Sequence, residues 1–97
     1  MMLDALHIGT LQVRFILRQS RTLKDKRQVV QSIKDKLRGS FNVSVAEVDF
    51  MDDRQQAVLG IAMVSNDPAH LQGALQQILA ALRSHPVAEL AEHELQT

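Results

Sequence analysis

The chain has 97 residues, of which 45% are hydrophobic and 23% are charged, a composition typical of a globular domain and unlike that of an intrinsically disordered chain. Eleven Lys and Arg residues balance eleven Asp and Glu residues, so the net charge is zero. Nine of the cations but only two of the acids lie between Arg14 and Arg38. This basic segment favours an anionic partner. Cysteine is absent, and the longest apolar run (residues 57–64) is too short to span a membrane. The first residues also lack a secretion signal. We therefore expect one cytoplasmic domain over residues 1–97.

The first two predicted elements are a half-buried strand and an amphipathic helix. Apolar and polar residues alternate over residues 10–17, a pattern typical of a strand with one covered face. Thr22 is the predicted N-cap of the helix that follows, and Asp25 completes a capping box. Gly39 is placed to end that helix. The apolar residues of the helix cluster on one face, which predicts the core side: Leu23, Val29, Val30, Ile33 and Leu37.

Two further strands are predicted in the middle of the chain. Residues 41–50 are rich in valine, and residues 57–65 are apolar on both faces. The connection between them is short and acidic, with Asp52 and Asp53 in it. Such a connection favours an antiparallel hairpin.

A second helix and a last strand complete the prediction. Asn66 or Asp67 can cap the helix, Pro68 suits its first turn, and Pro86 stops it. Residues 87–95 then alternate loosely, as expected for a partly exposed strand.

The order of these elements predicts the fold class. Strand, helix, strand, strand, helix, strand is the split βαβ pattern, whose right-handed crossovers place both helices on one side of a sheet. We therefore expect an α+β, ferredoxin-like βαββαβ fold, with a four-stranded antiparallel sheet and two helices on one face. In an unbroken last strand, Leu90 and Leu95 lie on opposite faces.

Several ungapped strings resemble a known bacterial family. Residues 22–27 read Thr-Leu-Lys-Asp-Lys-Arg, residues 41–47 read Phe-Asn-Val-Ser-Val-Ala-Glu, residues 57–60 read Ala-Val-Leu-Gly, and residues 64–67 read Val-Ser-Asn-Asp. Together they resemble the YlxP-like family of small bacterial proteins of unknown function. The resemblance implies a ferredoxin-like fold and, because the family's genes often lie among translation-initiation and ribosome-maturation genes, a role near RNA or the ribosome. Arg54 stands where many members carry a tryptophan.

The basic segment is predicted to form an anion-binding surface. Along the first helix, positions three or four residues apart hold Lys24, Arg27, Gln31, Lys34 and Arg38. The four cations, with the glutamine among them, form a stripe about 21 Å long, which suits several phosphates of a nucleic-acid backbone. Lys26 instead falls within the apolar face, where it either snorkels outward or is held beside a ligand. The alternative for the whole surface is a solvated face that pairs with acids of the same chain. The predicted nucleic-acid- or anion-binding residues are Arg18, Arg21, Lys24, Lys26, Arg27, Lys34 and Arg38.

The third strand predicts a second surface, because helices cover only one of its two apolar faces. The exposed sheet is expected to bind another subunit and to form a homo-oligomer. The predicted self-association residues are Val58, Gly60, Ala62 and Val64. That strand has no aromatic residue where RNA-recognition motifs stack bases, so contact with RNA is expected through charge or shape.

No catalytic or metal site is recognisable. The four histidines lack ligand spacing, and neither a glycine-rich nucleotide loop nor a nucleophile elbow is present. Arg18, Arg21 and Asn42 loosely imitate the phosphate-binding set of acylphosphatases, although the glycine-bearing loop of that class is absent between Leu17 and Leu23. We therefore predict a non-enzymatic, RNA- or ribosome-associated binding protein without cofactor, metal or membrane partner. The alternative is an oligomeric protein-interaction module without nucleic-acid binding, and a minor alternative is an acylphosphatase-like hydrolase.

Overall fold

The computed structural model describes residues 3–97, and its strands and helices follow the predicted order. The elements are β1 (His7–Ile16), α1 (Leu23–Ser40), β2 (Ser44–Asp49), β3 (Gln56–Ser65), α2 (Pro68–Arg83) and β4 (Glu89–Gln96). The four strands form one antiparallel sheet in the order β2-β3-β1-β4. This arrangement, with its two helices, confirms the predicted α+β ferredoxin-like fold.

Local side-chain signals begin both helices. Thr22 Oγ1 accepts a hydrogen bond from the amide of Asp25 at 3.0 Å, and the Asp25 carboxylate accepts one from the amide of Thr22 at 3.2 Å. This capping box starts α1 as predicted. Asp67 starts α2, because its Oδ1 accepts hydrogen bonds from the amides of Ala69 and His70.

The end of α1 differs from the prediction. Gly39 does not terminate the helix, which continues to Ser40 and is closed by a 2.8 Å hydrogen bond from the amide of Phe41 to the carbonyl of Leu37. Gly39 also has no positive φ, so it does not make the left-handed turn of a glycine cap. The longer helix delays β2, which begins at Ser44 instead of Phe41.

A bulge in the pairing of β1 with β4 changes which side chains face the core. The register shifts between Arg14 and Phe15, so that Leu95 pairs with Leu11 and Leu90 pairs with Phe15. Both leucines of β4 consequently pack against the buried core. The prediction that they lie on opposite faces is wrong, because the bulge adds one residue to the alternation.

The core lies between the sheet and the helices. On the covered face of the two central strands the buried residues are Leu11, Val13, Phe15, Ala57, Leu59, Ile61 and Met63. The helix α2 approaches β1 so closely that a Cβ on Gly9 would lie 2.5 Å from Leu75 Cδ1, so a larger residue there would displace the end of that side chain. On the opposite side of the sheet, here called the open face, Ile8 is 57% exposed and Val64 is 50% exposed.

Candidate nucleic-acid interface

The exposed cations of α1 lie along the edge of the sheet formed by β2. The helix buries Val30, Ile33 and Leu37 against the sheet. On the neighbouring flank, Arg38 Nη2 donates a hydrogen bond to the carbonyl of Val45 at 2.9 Å, which places this flank over the edge strand. We call the cations of this flank the cationic stripe: Lys24, Arg27, Lys34 and Arg38.

Most of the cationic stripe has no acidic partner. Lys24 and Arg27 are exposed and Lys34 is half-buried. Within residues 3–97, no carboxylate lies within ion-pair distance of any of these three side chains. Their charge is therefore not neutralised at short range, so pairing with acids of the same chain does not describe them.

The two acids of α1 are engaged elsewhere. Asp35 Oδ1 accepts a hydrogen bond from Gln31 Nε2 at 2.8 Å. Hydrogen bonds from the backbone amides of Arg21 and Thr22 hold the pKa of Asp25 below its usual value. Asp25 thus remains an ionised cap at the helix start and leaves the stripe cationic.

The loop before α1 contains Arg18 and Arg21, and other segments of the chain contact it at both residues. Arg18 Nε lies 2.9 Å from Glu89 Oε2, an exposed ion pair that contributes about 0–1 kcal/mol. Arg54 Nη1 donates to the carbonyl of Arg21 at 3.3 Å. Arg54 therefore brings a further cation to the start of α1. Its position inside an acidic connection gave no signal of this role in the sequence.

Lys26 does not belong to the cationic surface. Its side chain is fully buried, and its Nζ donates hydrogen bonds to the carbonyls of Phe50 (2.7 Å), Met51 (3.2 Å) and Gln56 (3.2 Å). Glu47 Oε2 lies 3.0 Å from the same nitrogen. Because the three carbonyls use the three ammonium hydrogens, the Glu47 contact is an ion pair without a hydrogen bond. The prediction of Lys26 as an anion-binding residue is wrong, since oxygen atoms of its own chain enclose it.

The residue after β2 has an unusual backbone. Phe50 has φ 60°, a left-handed conformation that costs a bulky side chain on the order of 1–3 kcal/mol. Three hydrogen bonds hold it: its amide donates to Asp49 Oδ1 at 2.7 Å, and its carbonyl accepts from Lys26 Nζ and from the amide of Asp53 at 3.0 Å. The chain thereby fixes a residue that is 37% exposed at the end of the sheet where α1 begins.

The open face has an apolar half and a charged half. The four predicted self-association residues lie on it along β3: Val58, Gly60, Ala62 and Val64. A Cβ on Gly60 would lie 3.1 Å from Val48 Cγ1, so the glycine leaves room for the valine of β2 to lie on this face. On the other half, Arg14 Nε pairs with Glu92 Oε1 at 2.6 Å. An apolar surface therefore stands beside an ion pair.

The acylphosphatase-like set is not assembled. Arg18 and Arg21 precede α1, whereas Asn42 follows it, and 18 helical residues separate them by about 27 Å. In the described part of the chain, no three His, Asp or Glu side chains are placed to hold a metal ion. Nor does either helix of residues 3–97 have the length and hydrophobicity needed to cross a bilayer.

Comparison with known proteins finds relatives but no activity. Residues 8–95 match a family described as "Protein of unknown function (DUF503)". The chain is also 34% identical to the "Uncharacterized protein YlxP" of Bacillus subtilis (strain 168). That similarity extends over 82 residues, which are 84% of this chain and 89% of the relative.

Proposed function

The chain belongs to the DUF503 family of proteins of unknown function, in agreement with the resemblance in its sequence, and we propose that it is a non-enzymatic protein that binds RNA or a ribosomal particle. The observation that carries this proposal is the unneutralised charge of Lys24, Arg27 and Lys34 on one flank of a regular helix. A partner of this kind acts in the cytoplasm.

Phosphate contacts explain how such a surface works. Each phosphate that a Lys or Arg side chain neutralises releases condensed counterions, so binding weakens steeply as salt is added. At the start of the helix the Asp25 carboxylate already caps the backbone, so the attraction for anions at that end comes from Arg21 and Arg54. Binding through these groups positions the RNA without reading its sequence.

A charge reversal on each flank of α1 tests the proposal. The measurement is fluorescence anisotropy of labelled ribosomal RNA fragments between about 50 and 200 mM salt. Arg27→Glu is expected to weaken binding roughly tenfold and to reduce the salt slope by about one phosphate contact. Lys36→Glu is the matched control, because Lys36 lies on the opposite flank beside Val29 and His85. Undetectable binding at low salt, or equal losses in the two variants, would contradict the proposal.

The apolar half of the open face favours a second function, self-association as a protein-interaction module. Val48 and Val64 are 47% and 50% exposed, and the small residues between them permit close approach of another sheet. Ala62→Asp is expected to dissociate the oligomer in sedimentation equilibrium. Ala80→Asp, at an exposed position of α2, is expected to leave it intact. A wild-type protein that stays monomeric at every concentration would rule this function out.

A further inference from the structure

A cleft occupies the end of the open face nearest the β2–β3 connection. Its volume is about 540 Å³, within the range of small-molecule sites. Its lining is apolar at Val48, Phe50 and Val58 and polar at Gln12, Arg14 and Gln56. The cleft therefore suits a ligand that combines a flat apolar surface with a polar edge.

Phe50 and His93 are the aromatic side chains that line this cleft, and the backbone of Phe50 is held before any ligand arrives. A hairpin needs no phenylalanine at φ 60°, because glycine or asparagine adopts this conformation with less strain. The hydrogen bond from Lys26 to the Phe50 carbonyl ties the residue directly to α1, the helix that carries the cationic stripe. An anchored aromatic residue loses little conformational freedom when a planar ring stacks on it.

The polar groups of the cleft fit the edge of a heteroaromatic ring. Gln56 is already engaged, since its Oε1 accepts from Arg14 Nη1 at 3.1 Å and its Nε2 donates to Asp53 at 3.2 Å. Gln12 is exposed on the central strand, and no side-chain hydrogen bond involves its amide within residues 3–97. Its amide offers a donor and an acceptor in one plane, as recognition of a base edge requires.

The charged groups around the cleft favour binding of a neutral base there and of its phosphate elsewhere. Asp49, Glu92 and Glu94 border the cleft, and carboxylates repel phosphate, so a neutral ring suits this site better than an anion. Arg21 and Arg54 lie at the same end of the sheet beside the start of α1. Because Arg54 lies in the same connection as Phe50, we expect the phosphate of a bound nucleotide to face these arginines while its base enters the cleft.

We infer that the cleft binds one unpaired nucleobase of the RNA, stacked on Phe50 and bonded at its edge by Gln12. This inference rests on the proposed function, and it adds the substrate class: RNA with an unpaired nucleotide beside the backbone that the cationic stripe contacts. It also revises the expectation that RNA is bound by charge and shape alone, because the stacking residue lies after β2 and not on β3.

Tryptophan fluorescence tests the stacking directly, because the chain has neither tryptophan nor tyrosine. Phe50→Trp places a single reporter in the cleft, and Ile8→Trp places the control at the other end of the open face. Each variant is titrated with a hairpin RNA that has an unpaired loop and with a fully paired duplex of equal length. We expect the loop RNA to quench emission from Phe50→Trp, the duplex to leave it unchanged, and neither RNA to quench Ile8→Trp.

The second measurement is the affinity of the Phe50 variants for the two RNAs. Phe50→Ala is expected to weaken binding of the loop RNA roughly tenfold or more, the loss of one stacked base, and to leave duplex binding unchanged. Phe50→Gly is the companion variant, because it also removes the ring but relieves the backbone strain, and it is expected to lose the same affinity.

The outcomes distinguish this inference from the proposed function. If both RNAs bind and the Phe50 variants match the wild type, the stacking site is wrong and the cationic interface stands. If Phe50→Ala changes the sedimentation of the protein and not its RNA affinity, the cleft is a contact between copies and the inference fails. If neither RNA binds at low salt, both proposals fail.

Discussion

Lys26 and Lys24 lie two residues apart on α1 and carry the same charge into opposite surroundings. Four oxygen atoms enclose the Lys26 ammonium, whereas Lys24 is exposed without an acidic partner among residues 3–97. Arg38 is intermediate, with a single carbonyl partner. This series teaches that a cation becomes part of the fold according to the oxygen atoms that distant segments bring to it, and that cations without them remain available to a ligand.

The largest difference is expected between Lys26→Met and Lys24→Met. Removing one partner of a buried ion pair leaves the other uncompensated and costs about 3–5 kcal/mol, so Lys26→Met should strongly lower the free energy of unfolding in urea. Lys24→Met breaks no contact and should change it by less than about 0.5 kcal/mol. Equal values for the two variants would show that the four oxygen atoms do not stabilise the fold.

Arg38 tests the middle of the series. Its single hydrogen bond to the Val45 carbonyl is partly buried, so Arg38→Met should lower the free energy of unfolding by about 1 kcal/mol. The loss also uncovers a carbonyl of the edge strand. Urea unfolding measures the effect, with Lys34→Met as the control from the same flank. If Arg38→Met lowered the free energy of unfolding as much as Lys26→Met, the number of oxygen partners would not determine how much a cation stabilises the fold.

The same contrast explains what the sequence could predict. Thr22 and Asp25 contact each other over three residues, so the capping box was visible as a local pattern. Lys26 finds its carbonyl partners 24, 25 and 30 residues further along the chain, and helical spacing alone cannot reveal them.

Hydrophobic alternation gave the strands and their order, but not the local irregularities of the sheet. The bulge that brings Leu90 to the core depends on pairing with β1. The left-handed backbone of Phe50 similarly depends on contacts with α1, so the cleft on the open face had no sequence signal. The cationic stripe was predictable because helical periodicity alone places its members on one flank.

His85 is a basic group whose surroundings disfavour charge, in contrast with Lys26. Its Nδ1 accepts hydrogen bonds from the amides of Val87 (3.1 Å) and Ala88 (3.0 Å), so a proton on that nitrogen would break both. Burial lowers the pKa of His85 below 6.5, and the positive charge of Lys36 lowers it further. The unfolded chain therefore takes up this proton first as the pH falls.

The stabilisation from neutral His85 should be complete above pH 6.5 and lost as the pH falls through the lower pKa of the folded state. We expect the difference in free energy of unfolding between the wild type and His85→Asn to decline in this range, because the asparagine Oδ1 keeps an acceptor that does not titrate. Urea unfolding at several pH values measures it. A difference that is independent of pH would contradict the role of the Nδ1 acceptor.

The smallest expected effect is an increase in the free energy of unfolding, whereas the Met variants above are expected to lower it or leave it unchanged. Lys34 and Arg38 are four residues apart, and like charges at this spacing destabilise a helix by about 0.2–0.5 kcal/mol. Lys34→Gln should therefore raise the free energy of unfolding by that amount at low salt, and the gain should vanish at high salt because screening removes the repulsion. Urea unfolding at the two salt concentrations measures the change. A net loss of stability would mean that Lys34 has a partner within the fold, and the cationic stripe would then belong with Lys26 as part of the structure and not with the surface that binds RNA.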